Sequence, residues 1–186
     1  MAACSLCRVV CGTAGNRAEQ RDAGFGSEAL RTCGDCTACC EGWVSAKDLE
    51  MWAGKACRHR TETGCGIYAD RPENPCKIFQ CGWLNGTLPE DESFKPNHCG
   101  AIVLTDRKQA GWDVWRVVPV GRSVPEATLE KITTLAGETQ QPFVWSERLE
   151  NYAEEPWSTI TFAMGPEAFL TDMKWDFSEN DVWDLA

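Results

Sequence analysis

The sequence predicts an α+β protein: a metal-stabilised, cysteine-rich loop region with a short helix, followed by a small antiparallel sheet with one packed helix. Three observations predict it. Eight of the twelve cysteines fall between Cys33 and Cys81, a density that calls for a chemical reason. Gly64, Gly66, Pro72, Pro75, Gly82, Asn85-Gly86, Pro89 and Pro96 break up the same region, leaving little room for regular elements. Beyond residue 100 the character changes to apolar stretches of strand length around one amphipathic segment.

Residues 1–31 mix Gly, Ala, Arg and Glu without sustained periodicity and read as a flexible extension. Cys4, Cys7 and Cys11 within it read as free thiols on a loose terminus. Residues 32–186 then form a single domain, with 32–100 as the cysteine-cluster half. There Ser45 is an N-cap for a short helix over Ala46–Ala53, ended by Gly54, with Leu49, Trp52 and Ala53 on its buried side. Residues 101–164 form the sheet-and-helix half, with strands expected at Ala101–Thr105, Trp112–Val120, Pro142–Ser146 and Ser158–Met164. Between the second and third, Ser123 caps a helix that starts near Pro125, buries Leu129, Ile132 and Leu135, and stops near Gly137. Gly165-Pro166 introduces a last helix, and the acidic, aromatic tail is expected to fold back so that Trp175, Phe177 and Trp183 cover the sheet.

The run Cys33-Gly34-Asp35-Cys36-Thr37-Ala38-Cys39-Cys40 places thiols two residues apart on a glycine-containing turn. Such thiols can reach one ion together, and the bent backbone can turn its amides toward the sulfurs. A disulfide framework is the competing explanation and needs an oxidising compartment. The start of the chain shows no basic stretch followed by an apolar core of secretory length, so a reducing cytoplasm is the expectation. Adjacent Cys39 and Cys40 point in different directions in most backbone conformations, which favours two nearby centres. Cys33, Cys36 and Cys39 also reproduce the opening spacing of a bacterial ferredoxin run, but Trp43 stands where the next cysteine belongs. Zinc is therefore the leading ion, and iron or an iron–sulfur cluster the alternative.

A second segment extends the pattern: Cys65-Gly66-Ile67-Tyr68-Ala69-Asp70-Arg71-Pro72, then Cys76-Lys77-Ile78-Phe79-Gln80-Cys81. Together with the Cys33–Cys40 run it resembles the CxxCxxCC cysteine-cluster family of zinc- or iron-chelating proteins, which also includes proteins linked to flagellin lysine methylation. The resemblance covers residues 33–81, with weaker likeness to residue 105. It implies a ligand set of Cys33, Cys36, Cys39, Cys40, Cys57, Cys65, Cys76 and Cys81, with Cys99 as the other claimant for the last place. Ile67, Tyr68, Arg71, Pro72 and Phe79 read as scaffold for the ligand loops: apolar packing, a buried hydroxyl and a guanidinium near thiolates.

Composition excludes several roles. A formal charge of -10 opposes nucleic-acid and anionic-lipid binding, and no apolar window is long enough to span a bilayer. No phosphate loop, nucleophile turn or dinucleotide fingerprint is present, and the carboxylates form no acid/base pair. His59 and His98 each lie close to a cysteine in the sequence and are the remaining nitrogen donors. Three roles follow for the cluster. It chelates or handles metal ions, or stabilises the fold; it serves a metal- or iron–sulfur-dependent enzyme that modifies a protein side chain; or its zinc folds a module that binds a protein partner. The first is the leading expectation, and catalysis is not assigned.

Overall fold

The computed structural model describes residues 31–154 and 159–179, the side chains from 174 onward excepted. Expectations for Cys4, Cys7 and Cys11, and for the side chains of Trp175, Phe177 and Trp183, lie outside the described residues. The architecture is α+β, with a cysteine-rich half of short turns and a half built on a four-stranded sheet.

The four expected strands form as β3 (Ala101–Gln109), β4 (Trp112–Pro119), β5 (Phe143–Arg148) and β6 (Thr159–Met164), after a small hairpin of β1 (Arg60–Thr61) and β2 (Gly64–Cys65). β3 and β4 are joined by Ala110-Gly111, at φ 49° and 81°. Two left-handed residues in succession give a tight turn whose twist matches the flanking strands. Ala101 lies opposite Pro119, and the register slips between Leu104 and Arg107.

The sheet is mixed, which corrects the antiparallel expectation. Its order is β3-β4-β5-β6, and the central pair is parallel, with Trp115 opposite Phe143 and Val117 opposite Trp145. The connecting helix α2 (Glu126–Thr139), the next after the short helix α1 (Pro96–Cys99) that leads into β3, supplies the reason. At 1.5 Å per residue it spans about 21 Å, nearly the length of β4, and so returns the chain to that strand's beginning. The next strand must then run the same way. α2 follows Pro125 without a side-chain cap, so Ser123 does not serve as one, and it buries Thr128, Ile132 and Ala136.

A second long helix, α3 (Glu167–Glu179), packs on the sheet as well. Neighbouring residues on a strand face opposite ways, and the burial follows that rule. Trp115, Val117 and Phe143 share a core with Ile132 and Ala136 of α2. Val114 and Val144 share one with Phe169 and Met173 of α3. Each helix therefore covers one side of β4 and β5. Phe169 is wholly buried, Trp112 meets it edge-on at 5.8 Å, and the Trp112 indole donates to Asp172 at 2.8 Å. Among the described side chains of α3, Phe169 and Met173 are the ones that cover the sheet.

The helix expected over Ala46–Ala53 is absent. Only Lys47–Leu49 forms a 3₁₀ turn, ended by Glu50 at φ 50°, and Ala46 pairs with Met51 as an isolated bridge. Leu49, Met51 and Ala53 are all buried. They are buried through a tight turn and two isolated bridges, not along one face of a helix.

Arg148 joins the two halves. Its guanidinium is buried, donates to the carbonyls of Pro119, Gly121 and Trp43, and lies 5.0 Å from the Trp43 ring centre. Burial works against its charge, bringing it down to about 10, and the carbonyl oxygens offset that cost.

Candidate metal centre

The turn that carries Cys33 and Cys36 is closed by the Cys36 amide donating to the Cys33 carbonyl at 3.0 Å, with Gly34 at φ 55°. It is anchored from sixty residues away. Lys95, with only 9% of its side chain exposed, holds Asp35 at 2.7 Å, and the Asn97 amide reaches the same carboxylate at 3.3 Å. Lys95 holds the Asp35 carboxyl below its ordinary range.

Cys39 and Cys40 open a 3₁₀ turn, Cys39–Glu41, that ends at Gly42 with φ 89°. Glu41 braces it by accepting from the Thr37 hydroxyl at 2.6 Å, the Trp43 indole at 3.0 Å and Arg60 at 3.1 Å. Gly42 is fixed by sterics as well as by dihedral, because a Cβ there would run into the Trp52 and Lys55 carbonyls. The Cys57 amide donates to the Cys40 carbonyl at 2.7 Å. Cys65 comes back toward Cys57 through the hairpin, where it pairs with Arg60, whose own amide donates to the Cys57 carbonyl. Cys76 sits in the turn Glu73–Lys77.

All nine described cysteines are unbridged, and seven of them fall into two sets by packing. Cys57 lies in a small apolar cluster with Leu49 and Met51, and Cys40 and Cys76 pack against it. Cys81 and Cys99 belong to the main core, and Cys36 and Cys39 pack against that. Electrostatics groups them in a similar but not a separate way, since Cys33 also acts on Cys40 and Cys40 on Cys39. Burial, then the sulfurs of Cys65, Cys57 and Cys76, push the Cys40 thiol up to about 12. Burial, then Cys81, Cys36 and Cys33, push Cys39 well up. Cys76 is raised by burial and then by Cys57 and Cys65. One set is Cys33, Cys36, Cys39 and Cys81, and the other is Cys40, Cys57, Cys65 and Cys76. The adjacent Cys39 and Cys40 go to different sets.

Cys81 and Cys99 differ in what their sulfurs touch. Burial raises Cys81, while the backbone amides of Leu84 and Trp83 donate to its sulfur and pull the other way. Amides aimed at sulfur favour a thiolate. Burial likewise raises Cys99 while the backbone amides of Ala101 and Cys99 pull the other way, but its single S–H is also shared between the Ala101 carbonyl at 3.2 Å and the Phe94 carbonyl at 3.5 Å, an arrangement suited to a protonated side chain. The histidines are engaged elsewhere: His98 Nδ1 lies 3.0 Å from the Glu92 carbonyl, and His59 Nε2 lies 3.3 Å from Arg58.

Among the described residues, no three His, Cys, Asp or Glu side chains stand close enough to grip one ion as they are. The thiols are gathered without forming a closed shell. The donor set still fits a soft ion in kind and number, since each set offers four unbridged sulfurs. Lys95 and the amides on Cys81 had no local sequence signal, because each acts across loops that only the fold brings together. Tyr68 is more open than a buried scaffold residue would be, at 47% exposed. Among the described residues no helix is long and apolar enough to cross a membrane. In comparisons with known proteins the chain matches no family model, no curated protein and no solved structure, so any function must be argued from these residues.

Proposed function

We propose that the chain binds soft metal ions through two sets of four thiolates, Cys33, Cys36, Cys39 and Cys81 in one and Cys40, Cys57, Cys65 and Cys76 in the other. The carrying observation is that Cys40, Cys57 and Cys76 pack in one apolar cluster while Cys36, Cys39 and Cys81 pack in another. Zinc suits two all-sulfur sets, each of which would hold one ion at a net charge of about -2. Membership of the cysteine-cluster family of zinc- or iron-chelating proteins is part of the same proposal, as is a reducing compartment such as the cytoplasm, where thiols stay available. The spacing of Cys33, Cys36 and Cys39 supports iron–sulfur binding as the second reading. The role is metal handling or stabilisation of the turn-rich half.

Metal analysis and a visible spectrum of anaerobically purified protein test the proposal. Two zinc ions per chain and no colour are expected. Visible charge-transfer absorption with iron and sulfide would establish the second reading. Protein that takes up neither ion after reconstitution under reducing conditions would overturn both.

A further inference from the structure

The four-stranded sheet ends on two edges that differ in how they are protected. Along β3 the register slips between Leu104 and Arg107, the strand carries Asp106, Arg107 and Lys108, and the Gly82 amide donates to the Val103 carbonyl at 2.7 Å. Irregularity, charge and a covering loop are the usual means of blunting an edge. β6 has none of them. It is uncharged, it pairs with β5 without a slip, and among the described residues no backbone group bonds to its outer side. One face of it is apolar and open as well. Phe162 lies opposite Trp145 and stacks on it at 5.1 Å. Ile160, two residues earlier, shares that face, and the two side chains remain 37% and 50% exposed respectively.

We propose that β6 is the seam of a homodimer, in which two copies pair this strand antiparallel about a two-fold axis through Thr161 and join their sheets into one of eight strands. The strand complements itself about that residue. Ile160 and Phe162 flank Thr161, so each Ile160 comes to lie opposite the partner's Phe162, and Thr161 opposite its own copy. Aromatic with β-branched and Thr with Thr are both favourable cross-strand pairs. Charge selects the same place. Two chains of formal charge -10 repel each other, and an uncharged strand lets them meet without opposing carboxylates along the seam. The arrangement closes at two, because the same patch is used by both copies and the β3 edge is blunted. It holds whether or not the cysteines carry metal.

Sedimentation velocity of the full chain under reducing conditions, from low micromolar to near-millimolar concentration, tests the seam together with amide exchange of β6. The wild type should pass from monomer to dimer as concentration rises, with β6 amides gaining protection in step. Thr161→Lys and Thr161→Glu each set like charges directly opposite one another and should weaken the dimer by about tenfold or more. An equal mixture of the two variants should recover it as a heterodimer, because the charges then match across the axis. A wild type that stays monomeric throughout would overturn the inference, as would a dimer undiminished in both variants or one that mixing fails to restore. β6 amides already protected in the dilute monomer would overturn it too, by showing that the chain covers its own edge. The exchange pattern of the wild type decides the question where a variant fails to fold.

Discussion

Gly42 is the residue on which the Cys40 side of the centre turns. Its left-handed φ of 89° costs a residue with a Cβ about 1–2 kcal/mol. The added methyl would also press on two main-chain carbonyls that cannot move aside as a side chain would. Gly42→Ala should therefore cost more than about 3 kcal/mol in denaturant unfolding, with impaired zinc uptake at the Cys40 set. A loss below about 1 kcal/mol would mean that the Trp52–Lys55 turn yields easily. Cys81 and Cys99 give a second prediction at this scale. Cys81→Ser should remove one equivalent of zinc, because serine replaces a thiolate held by two amides. Cys99→Ser should leave the stoichiometry unchanged, since its hydroxyl can make the same donations to Phe94 and Ala101. Loss of metal in Cys99→Ser with full metal in Cys81→Ser would exchange their roles. Sequence spacing alone left these two cysteines level, because the distinction lies in the Phe94 and Ala101 carbonyls that the short helix Pro96–Cys99 brings to the Cys99 sulfur.

Elements differ in how openly the sequence declares them. The four strands and α2 were legible because apolar blocks of the right length are bounded by turn residues. Strand direction was not, since alternation along β4 and β5 is the same whichever way they pair. The segment from Ala46 to Ala53 misled because its residues favour helix individually. Burial of Leu49, Met51 and Ala53, with the Ala46 bridge to Met51, overrides that preference. α3 was legible as an element after Gly165-Pro166, but Phe169 was not legible as an anchor, because nothing beside it in the sequence marks which face of the helix meets the sheet. Phe169→Ala should cost about 3–5 kcal/mol, as expected for a fully buried aromatic, and leave zinc stoichiometry unchanged. The metal sets share no cluster with Phe169, so metal loss in this variant would show that the α3 face of the sheet supports the centre.

At the scale of the molecule, Arg148 ties the two halves together through carbonyls of Trp43 and the β4 end, while Lys95 closes the cysteine-rich half on itself through Asp35. The sequence announced the eight cysteines as a group but not their division, which depends on which apolar cluster each one joins. That division has a topological consequence. Cys40, Cys57, Cys65 and Cys76 all lie between Cys39 and Cys81, so one ring of chain is nested inside another. Closing either ring shortens the other from about forty residues to about six, which lowers its closure cost by about 1.5–2 kcal/mol. The benefit is reciprocal, as any coupling between two sites must be. Metal-free chains given one equivalent of zinc should accordingly split into empty and doubly loaded molecules, with the singly loaded form scarce in native mass spectra. Abundant one-zinc protein would mean that the repulsion between the two charged centres outweighs what the nesting of their loops contributes.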